Sequence, residues 1–376
     1  MSAEKDFSAD VSAILGKAFA EFQKHMEEDK ESNRLNVLVL GKSGVGKSSL
    51  INAVFGKDMA ETGQGKPVTR GFEKFGDDNG LNIFDTRGIE SENFEETISD
   101  IEKFLQENVA KGSAEDQIHI AWLCINESLR RVEGEERVLE ILKKEKIPTI
   151  VVITKAQQDK DEKGESFREK VIEILKINHE DCIRTRAVEV SDDEGEIKKI
   201  MGIDTLVNRS YLLLPEGKKS AFAKKQHYNK TMRREALKED AFSKVKYYTA
   251  AASTVAATPI PFSDFAILLP TQVAMILHIS KVYEMEINQE NATKLITALT
   301  AVAGAGYAVK MGVGAVLKFI PGLGSVAGGL INATVAGTTT KLMGDAYIEF
   351  LDNKFMDNVL TPDFVLKNLP IFIEQK

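Results

Sequence analysis

Short apolar runs alternate with amphipathic stretches through the middle of the chain. "LNVLVL" (35–40), "LNIFD" (81–85), "IHIAWLCI" (118–125), "IPTIVVIT" (147–154) and "AVEVS" (187–191) are each bounded by polar or turn-forming residues. Runs of this length predict strands, and the helical spacing between them predicts crossover helices over a mostly parallel sheet. Ahead of this region Phe7, Val11, Ile14, Leu15, Ala18, Phe19, Phe22 and Met26 recur at helical intervals. That spacing predicts one amphipathic helix. From Tyr247 to Leu351 the composition turns to Ala, Gly, Thr and aliphatic residues at helical spacing. The pattern thus divides into an N-terminal helix (1–33), an α/β domain (34–215), a basic helical linker (216–246) and an all-helical domain (247–376).

Composition narrows the classes. With 376 residues, 43% of them hydrophobic and 28% charged, the chain can bury the cores of two or three domains. A net charge of −8 gives no global attraction to nucleic acid, which is not an expected partner; any anion site must be local. Cys124 and Cys182 stand far apart with no metal-ligand spacing and read as buried, reduced thiols. "MSAEKDFSAD" has no apolar export core, so a cytoplasmic location is expected.

"NVLVLGKSGVGKSSLINAVFG" supplies the first chemistry. Gly41-Lys42-Ser43-Gly44-Val45-Gly46-Lys47-Ser48 follows an expected strand and opens an expected helix, the context in which G-x-x-x-x-G-K-[ST] cradles phosphates. Glycines let successive backbone N–H groups turn inward, and the helix N-terminus adds partial positive charge. Lys47 is placed to reach the β- and γ-phosphates, Ser48 to ligate Mg²⁺, and Ser49 continues the helix.

"LNIFDTRGIE" adds Asp85 at a strand end and Gly88 three residues on. The aspartate is expected to hold Mg²⁺ through a water, and the Gly88 N–H to bond a γ-phosphate that hydrolysis removes. Between the two motifs Thr69 is the candidate to complete the Mg²⁺ shell, with Thr62 as the alternative.

"GKSGVGKS", "DTRG" and "TKAQ", in this order and spacing, resemble the Ras- and Era-like superfamily of P-loop GTPases over roughly residues 34–215. The Ala/Gly-rich C-terminal part is similar to a subgroup carrying a helical domain of unknown function, with a layout like that of immunity-related GTPases. The resemblance implies GTP and GDP as ligands with Mg²⁺, and Lys47, Thr69, Gly88 and Arg87 as the catalytic set. It also implies base contacts from Thr154, Lys155, Gln157 and Ser191. Family members orient the attacking water with a glutamine after D-x-x-G, and Ile89 stands there instead, so slow turnover is expected. Arg87 reads either as an internal arginine finger or as a solvated switch residue. Arg130 and Arg131 read as solvated or as contacts to a second nucleotide-bound copy.

The fourth residue of "TKAQ" departs from the family. Aspartate there accepts two hydrogen bonds from guanine, whereas Gln157 offers one acceptor and one donor. Asp159 lies two residues on and offers a carboxylate if the loop is reset. GTP with weakened discrimination is the expectation, ATP the alternative.

In the last region "FAILLPTQVAMILHI" is interrupted by Pro270, and "FIPGLGSVAGGLINATVAGTTT" carries Gly324 and Gly328 at a G-x-x-x-G spacing. A helical bundle or a membrane-associated element suits both. The resulting expectation is a GTP-hydrolysing switch coupled to a helical effector domain. Its partners would be a second copy, a membrane or another protein. The alternative is a nucleotide-dependent binding or scaffold module with little hydrolysis.

Overall fold

The computed structural model describes residues 2–56, 59–62, 66–69, 72–76, 80–86, 94–110, 117–191, 195–256, 264–301, 333–355, 360–365 and 367–368. They divide into two compact units, Asp29–Arg233 and, separately, Met1–Glu28 with Arg234–Lys376.

The first unit is built on β1 (Leu35–Gly41), β2 (Lys66–Thr69), β3 (Phe72–Gly76), β4 (Leu81–Thr86), β5 (Ile120–Asn126), β6 (Thr149–Thr154) and β7 (Cys182–Arg184). They form one sheet in the order β2-β3-β4-β1-β5-β6-β7. β4, β1, β5, β6 and β7 run parallel, and β3 and β2 are added antiparallel at one edge. Every residue of β1 is buried, as a central parallel strand covered on both faces requires.

Helices α2 (Lys47–Phe55), α7 (Ile203–Leu213) and α8 (Glu216–Lys225) cover one face. There Leu50, Val54, Leu206 and Phe222 pack against Val37, Val39 and Trp122. Helices α4 (Phe94–Ala110), α5 (Glu135–Lys144) and α6 (Phe167–Leu175) cover the other, where Ile101, Leu105, Val138, Leu142 and Val171 meet Leu38, Leu40 and Phe84. Alternate strand residues therefore feed two separate apolar layers. A short helix, α3 (Met59–Thr62), follows α2.

One expected strand is displaced. The last strand of the sheet is Cys182–Arg184, whereas the "AVEVS" run contributes only β8 (Val190–Ser191), paired with β9 (Ile197–Lys198) in a separate two-stranded sheet. Burial explains the exchange: Cys182 and Ile183 are 1% and 5% exposed, while Val188 is 54% exposed. Both cysteines are buried and unpaired with each other, and burial pushes each thiol up to about 12.

The second unit joins the N-terminal helix α1 (Ser2–Ser32), through Ala18, Phe22 and Met26, to a core made with α9 (Lys230–Ala256), α10 (Asp264–Val282), α11 (Gln289–Ala301) and α12 (Ala333–Phe355). In α10 every residue from Pro270 to Ser280 is buried, so the helix is surrounded on all sides. Pro270 lies inside it and does not interrupt it, contrary to the sequence expectation. The missing N–H removes one helical bond, and enclosure of the following turns by packed neighbours outweighs that loss. The polar residues of α10 are matched by neighbours. Gln272 donates to Thr340 Oγ1 (3.1 Å), His278 Nδ1 meets Tyr248 Oη (3.3 Å), and Ser280 Oγ meets Tyr347 Oη (2.8 Å). Asp352, 2% exposed, takes a bidentate pair from Arg234 and a further bond from Lys238, so two cations of the basic stretch serve this unit's core.

Glycines on α12 set its approach to α9 and α10. A Cβ at Gly344 would lie 2.5 Å from Val245 Cγ2 and 3.1 Å from Met275 Sδ, whereas one at Gly337 would meet chiefly the movable hydroxyl of Ser253. Gly344→Ala is expected to cost about 1–3 kcal/mol through overpacking, and Gly337→Ala much less. Thermal unfolding of the full chain checks this, and equal midpoints for the two variants would refute it.

Among the described residues, no helix is long and apolar enough to cross a membrane. Gly324 and Gly328 lie outside the described residues.

Candidate functional site

The phosphate loop runs from the end of β1 to the start of α2. Gly41 adopts φ 151° and pairs in register with Cys124 of β5. A Cβ there would sit 2.7 Å from the Cys124 carbonyl oxygen, so the loop presses directly on the neighbouring strand. Gly46, the N-cap of α2, is left-handed at φ 106°, a conformation that favours glycine. No side chain caps α2, so its first-turn N–H groups have no side-chain acceptor from the cap residue.

Lys47 leaves the first turn of α2 and curls back over the loop. Its Nζ donates to the carbonyls of Gly41 (3.0 Å) and Lys42 (3.3 Å) and lies 3.7 Å from Asp85 Oδ1. Asp85 reaches this position because β4 pairs with β1 in a register that sets it beside Val39. Among the described residues its buried Oδ1 accepts no hydrogen bond, and the neighbouring Thr86 hydroxyl likewise has no partner. Burial is the main cause that pushes the Asp85 carboxyl from 3.8 up to about 6; Glu73 adds to this and Lys47 opposes it. A cation beside a buried carboxylate oxygen without a hydrogen-bond partner among the described residues leaves one acceptor open at the phosphate loop.

The other predicted residues are distributed as follows. Ser43, Gly44, Ser48 and Ser49 are exposed around the mouth of the loop, and Val45 is buried beneath it. Lys42 pairs with Glu133 at 3.0 Å. Thr69 ends β2 opposite Phe72, but its side chain lies outside the described part, as do Arg87, Gly88 and Ile89 altogether. Ser191 is in β8 opposite Ile197.

"TKAQ" sits against the phosphate loop from the far side. Thr154, at the end of β6, donates to the Val45 carbonyl (2.7 Å) within reach of the Ile125 carbonyl (3.1 Å). Its hydroxyl therefore faces inward and ties β6 to the loop. Lys155, at φ 52°, lays its stem over Gly46, where an added Cβ would lie 3.8 Å from Lys155 Cε. Gln157 is exposed.

The backbone around Gln157 is held by Glu127 and Arg186, which no sequence motif singles out, and by Arg130 in a role other than the two expected of it. Glu127, 3% exposed at the end of β5, accepts the N–H groups of Gln157 and Gln158 on Oε2, and Arg184 Nε on Oε1 at 2.6 Å. Arg130 grips the carbonyls of Gln158, Asp159 and Glu165 at 3.1, 3.0 and 3.2 Å, and its guanidinium lies over the Phe167 ring. Arg186 holds the Ala156 carbonyl at 2.8 Å. Arg130 is thus engaged within its own chain, while Arg131 is 75% exposed beside Glu133. Asp159 is not available as a substitute for Gln157. Its carboxylate accepts Ser166 Oγ (2.6 Å) and the Arg168 N–H (3.0 Å) at the start of α6. Against the cost of burial these bonds, with Arg184 and Arg130, hold that carboxyl below its ordinary value.

The only sequence cue to Glu127 is an acid placed two residues after an apolar run, a position that ordinarily reads as solvated. Its role depends on β6 and β7 bringing two backbone amides and Arg184 to the same point.

Comparison with known proteins adds two family matches and several relatives. Residues 36–155 match the family described as 50S ribosome-binding GTPase, and residues 224–361 match a domain of unknown function, DUF697. The probable GTP-binding protein EngB of Thermoanaerobacter pseudethanolicus is 31% identical over 181 residues, 46% of this chain and 88% of that protein. The magnetosome membrane protein 22 of Magnetospirillum gryphiswaldense is 29% identical over 110 residues, 29% of this chain and 56% of that one. GTPase Der of Maridesulfovibrio salexigens is 25% identical over 170 residues, 44% of this chain and 37% of that one. With its phosphate loop, D-x-x-G segment and T-K-x-x segment in family order on a mostly parallel sheet, and with the EngB likeness covering most of that protein, the chain belongs to the EngB/Der-like family of P-loop GTPases and carries a C-terminal domain of unknown function.

Proposed function

We propose that the chain binds and hydrolyses GTP as a switch whose nucleotide state acts on a helical effector domain. The observation that carries this is the Lys47–Asp85 pair: a buried ammonium folded over the phosphate loop, 3.7 Å from a buried carboxylate oxygen with no hydrogen bond among the described residues. In this reading Lys47 exchanges the Gly41 and Lys42 carbonyls for phosphate oxygens, and the uncapped first turn of α2 donates its N–H groups to them.

The orphaned Asp85 oxygen and the exposed Ser48 hydroxyl suit a divalent cation, and Asp85, Ser48 and Thr69 would hold it. Bound there, Mg²⁺ would supply Lewis-acid polarisation of the phosphate oxygens. Thr154 is a positioning residue that fixes the loop through Val45. With Ile89 after D-x-x-G, no side chain at that position can orient the attacking water, so intrinsic turnover is slow. Arg87 is the candidate cation for transition-state charge. Acceleration comes from a second copy, a membrane surface or a protein partner.

Single-turnover GTP hydrolysis by the full chain, over a concentration series and with and without anionic vesicles, tests this. Slow release of phosphate that quickens with chain concentration or vesicles is expected. Fast hydrolysis by the dilute chain would overturn the slow switch, and tight binding without hydrolysis under every condition would leave a nucleotide-dependent binding module.

A further inference from the structure

Which groups of the base this site reads follows from the way the segment Ala156–Asp159 is pinned. Its backbone has little freedom. The Ala156 N–H bonds the Thr185 carbonyl (3.0 Å) and the Ala156 carbonyl accepts Arg186. The next two N–H groups end on Glu127, and the following two carbonyls on Arg130. Both aspartates that follow Gln157 are already engaged. Asp159 holds Ser166 and the start of α6, and Asp161 accepts the N–H groups of Lys163 and Glu165, both at 2.9 Å. Glu127 approaches from behind, with both oxygens occupied. What the segment presents outward are the neutral amides of Gln157 and Gln158, of which Gln157 stands at the position where the family has its aspartate.

An amide has one acceptor and one donor on a common plane. Guanine's edge presents, in order, the O6 acceptor, the N1–H donor and the 2-amino donor. A carboxylate spans the two donors. An amide pairs fully only one step over, its N–H to O6 and its carbonyl from N1–H, leaving the 2-amino group unread. Hypoxanthine carries the same O6 and N1–H and has only hydrogen at position 2.

We propose that Gln157 makes this site a reader of 6-oxopurines that does not sense the group at purine position 2, so that inosine nucleotides bind as tightly as guanosine nucleotides. The inference rests on the guanine-nucleotide reading above and narrows its ligand class. Adenine reverses the donor and acceptor at these positions and would require the amide to be turned over.

Competition of GDP, IDP and ADP against a ribose-labelled fluorescent GDP, on the full chain with Mg²⁺, provides the test. GDP and IDP are expected to compete within about threefold of each other, since the 2-amino group that distinguishes them makes no bond to the amide, while ADP tests the guanine-nucleotide reading on which the inference rests. Gln157→Asp, at an exposed position, is expected to favour GDP over IDP by about tenfold, because a carboxylate regains the 2-amino bond. A wild-type preference for GDP over IDP of tenfold or more would overturn this inference alone, whereas ADP competing equally with GDP would overturn the guanine-nucleotide reading and this inference with it. A chain that binds no nucleotide would overturn the nucleotide reading and this inference with it.

Discussion

Asp85→Asn is expected to make the nucleotide-free chain more stable near neutral pH while weakening its magnesium-dependent hold on nucleotide. The Asp85 carboxyl titrates at about 6 in the folded chain against 3.8 ordinarily, mainly because it is buried. A raised acid pKa means the folded state binds the proton more tightly. Below about pH 4 both states are protonated and the aspartate costs nothing. As pH rises from about 4 to 6 the unfolded chain ionises first, and stability is lost until the folded pKa is passed. The full cost above that point is about 3 kcal/mol, from two pKa units at about 1.4 kcal/mol each.

Asparagine removes the ionisation, and the weakened attraction to Lys47 offsets part of the gain, leaving about 1–2 kcal/mol at pH 7.5. Thermal unfolding at pH 4.5 and 7.5 checks the sign: the variant should gain at the higher pH and little at the lower. A midpoint below wild type at pH 7.5 would show that the carboxylate is not held at a cost. Nucleotide affinity with Mg²⁺ should fall at least tenfold in the same variant, since the ion loses its anionic side chain. A site that is less stable than its neutral counterpart when empty gains the most when its cation arrives.

Glu127→Ala carries the other large effect. Truncation leaves the Arg184 guanidinium without its 2.6 Å partner and two backbone N–H groups unsatisfied in a site where Glu127 is 3% exposed. Breaking a buried pair by removing one member costs about 3–5 kcal/mol. The loss falls on the segment that carries Gln157, so nucleotide release should quicken by at least about tenfold, which a 1.4 kcal/mol share of that loss would produce. Stopped-flow release of labelled GDP, read beside urea unfolding, separates the two effects. Glu127→Gln keeps one acceptor and should recover part of the release rate. Unchanged release from Glu127→Ala would remove Glu127 from any role in holding the base loop.

The sheet and the phosphate loop were legible because their signals are local. Four of the apolar runs became β1, β4, β5 and β6, and the glycines that need positive φ stand at fixed intervals in the loop. The final strand was misplaced for a reason equally local. "CIR" is only three residues long, and its burial comes from α6 and β6 rather than from its own pattern. The role of Pro270 was misjudged because a proline signals a break only where packing does not compensate. Glu127, Arg130 and Arg184 were not legible as a unit. Arg184 lies 57 residues beyond Glu127, and only the parallel register of β5, β6 and β7 brings it to Glu127 and Arg130 behind one loop.

The matched polar pairs along α10 have a mechanical consequence for the helical unit. Gln272, His278 and Ser280 meet partners on two different helices, Tyr248 on α9 and Thr340 and Tyr347 on α12. Apolar surfaces slide past one another at little cost between equivalent positions, but these rungs act as teeth. A displacement of α10 by one turn, about 5.4 Å, would break all three of these cross-helix contacts at once in a buried region. The energy surface for sliding is therefore stepped rather than smooth, and any force applied to this bundle is borne by the unit as a whole or released by a discrete jump.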